Sequence, residues 1–201
     1  MISKVKVDFL SGESIEKILD STFEVMEDVG ADIFCDEAIA LLKEAGCSVD
    51  GNRVKIPREL VKKCIETAPS MIKIYNRNGE EAMDLGGRNS YFGSGPTCSN
   101  FIDPVTGERR LSRKEDAANT AKVIDALEHM DFAMSLVMIA DQNAKLADNH
   151  ETDAMLRNTT KPIATWAFNR ENMERIFKMC AAVAGSMEKL QEKPFLIVYS
   201  E

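Results

Sequence analysis

The run Tyr91-Phe92-Gly93-Ser94-Gly95-Pro96-Thr97-Cys98-Ser99-Asn100 combines glycines, a proline, hydroxyls and a thiol. Gly93, Gly95 and Pro96 shape a loop whose backbone can approach a ligand closely. Thr97 and Cys98 are the side chains best placed to touch one. The run is not a P-loop, because it has no Gly-Lys-Ser/Thr and opens no helix. The competing reading is a crossing loop that plugs or lines one end of the fold. Cys98 lacks a histidine nearby in sequence, so an inert thiol is favoured over a nucleophile. His129 precedes a strand and reads as a helix C-terminal residue. His150 has Asp153 three residues on and Ala154 four residues on, too sparse a set for a metal, and no metal site is expected. Asp141 directly follows a strand, where it can act as an acid, contact a cation or cap the next helix, and the cap is favoured.

These residues need elements to hold them, and the part from Met130 onward supplies a regular series. Apolar runs at 131–138, 162–168 and 194–199 read as strands, with helices over about 144–158 and 171–184 between them. The strands are nearly continuous in apolar character, as expected of strands buried on both faces of a parallel sheet. Strand, helix, strand, helix, strand with short links is a βαβαβ series with right-handed crossovers. Such a sheet has an uncovered edge, so further strands are expected to follow in a larger α/β protein.

The N-terminal part reads differently. An amphipathic helix over 14–29 places Ile15, Ile18, Leu19, Phe23, Met26 and Val29 on one face, with Ser11 or Ser14 as its cap and Gly30 as its stop. A second helix over 36–45 ends at Gly46, and Asp50-Gly51 between Val49 and Val54 signals a hairpin. Pro57 opens a third helix with Leu60, Val61, Cys64 and Ile65 on its inner face. Short strands follow at 71–75, 82–85, 90–92, 100–102 and 109–111. Ser112-Arg113-Lys114-Glu115 reads as a capping box for a helix running to about Glu128. The expected division is a helix-and-hairpin region over 1–111 and βα units over 112–201.

A net charge of −8 argues against a nucleic-acid surface, which needs a basic patch. No apolar run reaches the roughly 20 residues of a membrane span, and the N-terminus lacks the apolar region of a signal peptide. The cysteines, Cys35, Cys47, Cys64, Cys98 and Cys180, are odd in number and scattered, which fits reduced thiols in a cytoplasm.

Several phrases resemble one family. EVMEDVGADIF, ALLKEAGCSVDGNRVKIPRELVKKCIETAPS, IKIYNRNG, YFGSGPT, FIDPVTGERRLSRKEDAANTAKVIDAL, TKPIATWAF and KPFLIVYSE, in this order, resemble the start of the trimethylamine methyltransferase family. The resemblance implies an α/β fold, a TIM (β/α)8 barrel, present here as its first strands behind an N-terminal elaboration. It implies transfer of a methyl group from a methylated amine, often quaternary, to cob(I)alamin on a small corrinoid protein. No cofactor is then bound directly, because cobalamin arrives on that partner. Some members carry pyrrolysine, in a later half that is missing here, so the chain is expected to be an N-terminal fragment. As a fragment with open sheet edges it is expected to form homo-oligomers.

The resemblance also ranks the site residues. In such a barrel the chemistry sits at the C-terminal ends of the strands. Here these are Val137-Met138-Ile139-Ala140-Asp141, Trp166-Ala167-Phe168-Asn169 and Val198-Tyr199-Ser200-Glu201. A quaternary ammonium has no N–H to donate, so aromatic rings are its natural partners. Trp166, the sole tryptophan, is the first candidate, with a core tryptophan as the competing reading. Tyr199, Thr97, Gly95, Met138 and Asn169 complete the expected substrate-binding set, and no catalytic side chain is assigned. The alternative function is a non-catalytic half-barrel that self-associates or binds a small cation.

Overall fold

The computed structural model describes residues 9–96 and 98–199 of the chain. Its contacts divide the chain into two units, Met1–Pro69 and Ser70–Glu201. The Leu111 boundary read from sequence therefore lies inside the second unit.

In the first unit, helix α1 (Gly12–Glu24) starts where the Ser11 hydroxyl accepts the Ser14 N–H, and it runs on into a π-helical turn over Val25–Val29. Gly30 stops it at φ 76°, and a Cβ there would lie 2.3 Å from the Val54 carbonyl oxygen. Both the left-handed backbone and the close approach require glycine. Strand β1 (Ala31–Asp32), helix α2 (Asp36–Glu44) and strands β2 (Ser48–Asp50) and β3 (Arg53–Lys55) follow. They form an antiparallel sheet in the order β1-β3-β2, with fully buried Val54 at its centre. The hairpin turns at Gly51-Asn52, one residue later than expected, because Asp50 and Arg53 pair across it. In helix α3 (Arg58–Thr67) the expected inner face is only partly covered: Leu60 and Val61 are half-buried, whereas Cys64 and Ile65 are exposed.

The second unit opens with an antiparallel hairpin of β4 (Met71–Tyr75) and β5 (Glu81–Gly86). Its alternation buries Ile74 opposite Met83. The hairpin is tied to later segments by Tyr75 N–H to the Pro194 carbonyl (2.8 Å) and Arg77 N–H to the Thr160 carbonyl (2.8 Å). The strand expected at 90–92 is absent, and that segment is irregular. A second hairpin, β6 (Asn100–Ile102) with β7 (Arg109–Leu111), turns through Asp103, whose carboxylate accepts the amides of Val105 and Thr106.

Helix α4 (Lys114–Ala126) begins one residue later than the capping box predicts. Asp116, not Glu115, takes the Arg113 N–H at 2.8 Å, while the Ser112 hydroxyl turns to the Cys98 carbonyl. Arg110 grips Asp116 with two bonds of 2.7 and 2.9 Å. Asp141 caps α4 through Lys114 N–H at 2.9 Å, instead of the helix that follows it in sequence. At the other end, the Lys161 ammonium donates to the carbonyls of Ile124, Leu127 and Met130. The cation at this terminus is thus a lysine from a distant loop, whereas His129 sits exposed in the turn beyond the helix.

The parallel sheet has the order β10-β9-β8, made of β8 (Ala133–Met134), β9 (Ile163–Thr165) and β10 (Leu196–Val198). Helix α5 (Ala147–Asn158) joins β8 to β9. Helix α6 (Arg170–Ala184) and a short α7 (Met187–Glu192), which the sequence reading did not anticipate, join β9 to β10. Strand β8 is shorter than the expected 131–138, because the chain leaves the sheet after Met134 to pair with the segment before β6. Gly93 bridges Phe132 and Cys98 bridges Val137, both in parallel. The β8 edge of the sheet is therefore covered. Among the described residues the sheet stays open and no barrel closes. The core between sheet and helices contains Ala121, Ala133, Met155, Ile163, Ile176, Cys180 and Phe195.

Candidate functional site

β9 is buried along its whole length, and its chain leaves the sheet as Trp166-Ala167-Phe168-Asn169. Extended backbone sends alternate side chains to one side, so Trp166 and Phe168 emerge together. Their rings meet edge to face, with centroids 4.7 Å apart and planes at 82°. Asn169 ends the segment by accepting the Asn172 N–H at 2.9 Å, which caps α6.

These residues wall a cavity of about 760 Å³ at the C-terminal ends of β9 and β10. Its other lining residues are Pro96, Met134, Met138, Ala167, Arg170, Met173 and Tyr199. Tyr199 is placed by its N–H bond to the Thr165 carbonyl at 2.8 Å. Met138 is placed by its N–H bond to the Cys98 carbonyl at 3.0 Å. Arg170 is paired with Glu174 at 3.2 Å on the outer side of α6. The mouth is wide, with Phe168 47% and Tyr199 51% exposed.

Behind the aromatic segment lies a buried polar layer contributed by α5. The Asp148 carboxylate, 1% exposed, accepts the Phe168 N–H at 2.9 Å and the Asn172 side-chain amide at 3.0 Å on both oxygens. Thr152 and Thr165 share a hydroxyl–hydroxyl bond of 2.9 Å. Glu151 is also buried, and burial pushes its carboxyl up to about 7, against the hydrogen bonds from Ile139 N–H and Ser135 that favour the ionised form.

Of the residues expected from sequence, Trp166, Tyr199, Met138 and Asn169 are brought together around this cavity. Asn169 faces it with its side-chain oxygen committed to the helix cap. Gly95 is not among the lining residues, and a Cβ built there meets nothing within 4 Å. Its neighbour Pro96 lines the cavity instead. Thr97 lies outside the described residues. Cys98 is exposed, whereas Cys180 is buried and its thiol pushed up to about 12 by burial. His150, half-buried on α5, belongs to no metal-binding group, and among the described residues no three His, Cys, Asp or Glu side chains cluster as metal ligands.

The sequence reading missed Phe168 as Trp166's partner, although their spacing of two in an extended run is its signature. It also missed Asp148. On α5 the positions 148, 151, 152 and 155 share one face, and a polar residue on the same stripe as Met155 was the available signal.

Comparison with known proteins adds a second line. A family model described as trimethylamine methyltransferase matches residues 2–199. The chain is 34% identical over 186 residues to a protein named trimethylamine methyltransferase MttB from Desulfitobacterium hafniense (strain DSM 10664 / DCB-2), covering 92% of this chain and 38% of that one. It is 31% identical to the protein of the same name from Methanosarcina barkeri (strain Fusaro / DSM 804), covering 96% and 40%. It is 26% identical to a glycine betaine methyltransferase from Desulfitobacterium hafniense (strain Y51), covering 96% and 40%. The chain spans about two-fifths of the length of these curated relatives. Matched along nearly all of its own length, the chain belongs to the trimethylamine methyltransferase family.

Proposed function

We propose that this chain carries the amine-binding site of a methyltransferase that moves a methyl group from a methylated, quaternary amine to cob(I)alamin on a corrinoid partner protein. The observation that carries the reading is the right-angled Trp166–Phe168 pair, walling a cavity at the C-terminal ends of parallel strands. The names of the relatives, which include both trimethylamine and glycine betaine methyltransferases, support the substrate class. The sheet, with its strands in sequence order and helices between them, is read as the first units of a (β/α)8 barrel, where sites lie at these strand ends.

Cobalamin, brought by the partner, supplies the nucleophile. The half-exposed rims at Phe168 and Tyr199 fit a mouth that must admit a macrocycle carried by another protein. The residues of this chain perform binding and orientation. Aromatic faces hold an ammonium that has no hydrogen bond to offer, and the thioethers of Met134, Met138 and Met173 fill the space around its methyl groups. One N–CH3 bond is left directed at the mouth. When it breaks, its electron pair stays on nitrogen and the positive charge that the rings attracted disappears. The cavity must therefore hold the cation without favouring the ground state too strongly.

The test is methyl transfer to cob(I)alamin by the protein prepared at the full length of its curated relatives, followed by absorbance, with trimethylamine, glycine betaine, carnitine and proline betaine as donors. Methylcobalamin formed with one of them is the expected result. No methylation with any donor would sink the reading.

A second reading, a module that associates through its first unit, is favoured by Ile18, Leu19, Leu41 and Ile65, all about half exposed or more. Sedimentation of the purified protein decides it, and a monomer at all concentrations would rule it out.

A further inference from the structure

We infer that Asp148 is the positioning residue of the cation cavity, its buried carboxylate both fixing the Trp166–Phe168 segment and placing negative charge behind that aromatic wall. The inference rests on the cation-binding reading for its second half and on geometry alone for its first.

The carboxylate of Asp148 is satisfied from three directions. Oδ2 accepts the Phe168 backbone N–H at 2.9 Å, from the segment that leaves β9. Both oxygens take the Asn172 side-chain amide at 3.0 Å, from the first turn of α6. Oδ1 accepts Asn149 N–H at 2.8 Å and its side-chain amide at 3.3 Å, from α5 itself. One group thus joins two helices to the residue that carries a cavity ring. Phe168 follows Trp166 by two residues, so holding its amide holds the edge-to-face pair.

Among the described residues, the donors that hold Asp148 are all neutral amides. The Arg175 guanidinium reaches only the far side of Asn172, bonding its Oδ1 at 2.8 Å, and is itself occupied by Glu171. A buried carboxylate without a direct cationic partner is costly as a purely structural device, where an amide or an apolar side chain would serve. Its charge acts across the loop backbone on whatever occupies the cavity, and an occupant with permanent positive charge gains from it.

Trp166 is the sole tryptophan, so its fluorescence reports the segment directly. In ligand-free protein, Asp148→Asn is expected to shift the emission to the red and raise the acrylamide quenching constant about twofold, well below the melting temperature. Asp125 is the control. Its carboxylate ties the loop entering β9, accepting Thr160 N–H at 2.7 Å, at the opposite end of the strand. Asp125→Asn is expected to lower the melting temperature without moving the tryptophan signal. Unchanged emission and quenching in Asp148→Asn, or equal changes in both variants, would overturn the positioning role. If Asp148→Asn does not fold, Asn172→Ala, which keeps the charge but removes the carboxylate's tie to α6, is read the same way and is expected to raise quenching.

The charge is tested by titration with choline and with its neutral isostere 3,3-dimethylbutan-1-ol. Asp148→Asn is expected to weaken the cation about tenfold and the alcohol less than about twofold. Equal losses overturn the electrostatic half. Failure of the wild-type protein to bind choline overturns the cation reading and the electrostatic half with it, and the ligand-free fluorescence then still decides the positioning role.

Discussion

Glu151 on α5 accepts the backbone N–H of Ile139 at 3.3 Å, holding the irregular segment after β8 with a carboxyl that is 2% exposed. Burial raises this carboxyl from an ordinary 4.5 to about 7. The neutral form is thus the one the fold prefers. The stability it contributes is fully present below the unfolded value near 4.5 and is lost as pH rises through about 7. The loss amounts to about 3 kcal/mol. Glu151→Gln is expected to flatten the stability profile over that window and to be the more stable protein at pH 8. Urea unfolding at intervals of pH checks it, and an unchanged slope in the variant would refute the assignment.

Trp166 and Phe168 are expected to act on a bound ammonium as a pair. Each alanine substitution should weaken binding of a quaternary ammonium by about 0.5–2 kcal/mol, or roughly 2- to 30-fold. Because the rings also hold each other, the double variant should lose less than the sum. Calorimetric titration of the single and double variants measures the coupling, and strict additivity would show that the rings bind independently.

Arg110 and Asp116 form the best-buried ion pair among the described residues, and the guanidinium hydrogen bonds hold Asp116 below the usual carboxylate range. The stability from this pair is present above the unfolded carboxylate value and is lost as pH falls through the depressed folded one. Arg110→Met leaves a buried carboxylate unpaired and is expected to cost about 3–5 kcal/mol at neutral pH. Acid unfolding should then begin at higher pH, which a pH titration of circular dichroism reads directly.

Two glycines of the loop before β6 should behave oppositely. A Cβ on Gly93 would stand 2.4 Å from the Phe132 ring, whereas one on Gly95 meets nothing within 4 Å. Gly93→Ala is expected to destabilise by about 1–3 kcal/mol, as overpacking does. Gly95→Ala should stay within about 0.5 kcal/mol of the parent. Thermal melts of the two variants separate them, and equal effects would contradict the described packing.

Much of the architecture is written locally in the chain. The α6 boundaries follow from Asn169 as its cap and Gly185 at φ 97° as its stop, both properties of single residues and their neighbours. The alternation of 71–75 and the apolar runs at β9 and β10 set strand positions, and the Trp166–Phe168 spacing sets which rings share a side, because strand geometry is periodic. Other outcomes needed partners that the sequence holds far away. Asp116 rather than Glu115 closes the start of α4 because Arg110 arrives to grip it. Gly93 and Cys98 bridge Phe132 and Val137 on either side of β8, and this pairing, made with residues far off in sequence, accompanies the shortening of that strand. Along Asp148-Asn149-His150-Glu151-Thr152 the hydrogen-bonding groups alone do not say which face turns inward. Asn172, Thr165 and the amides of Phe168 and Ile139 decide it, since a polar side chain can be buried only where the fold delivers its partners.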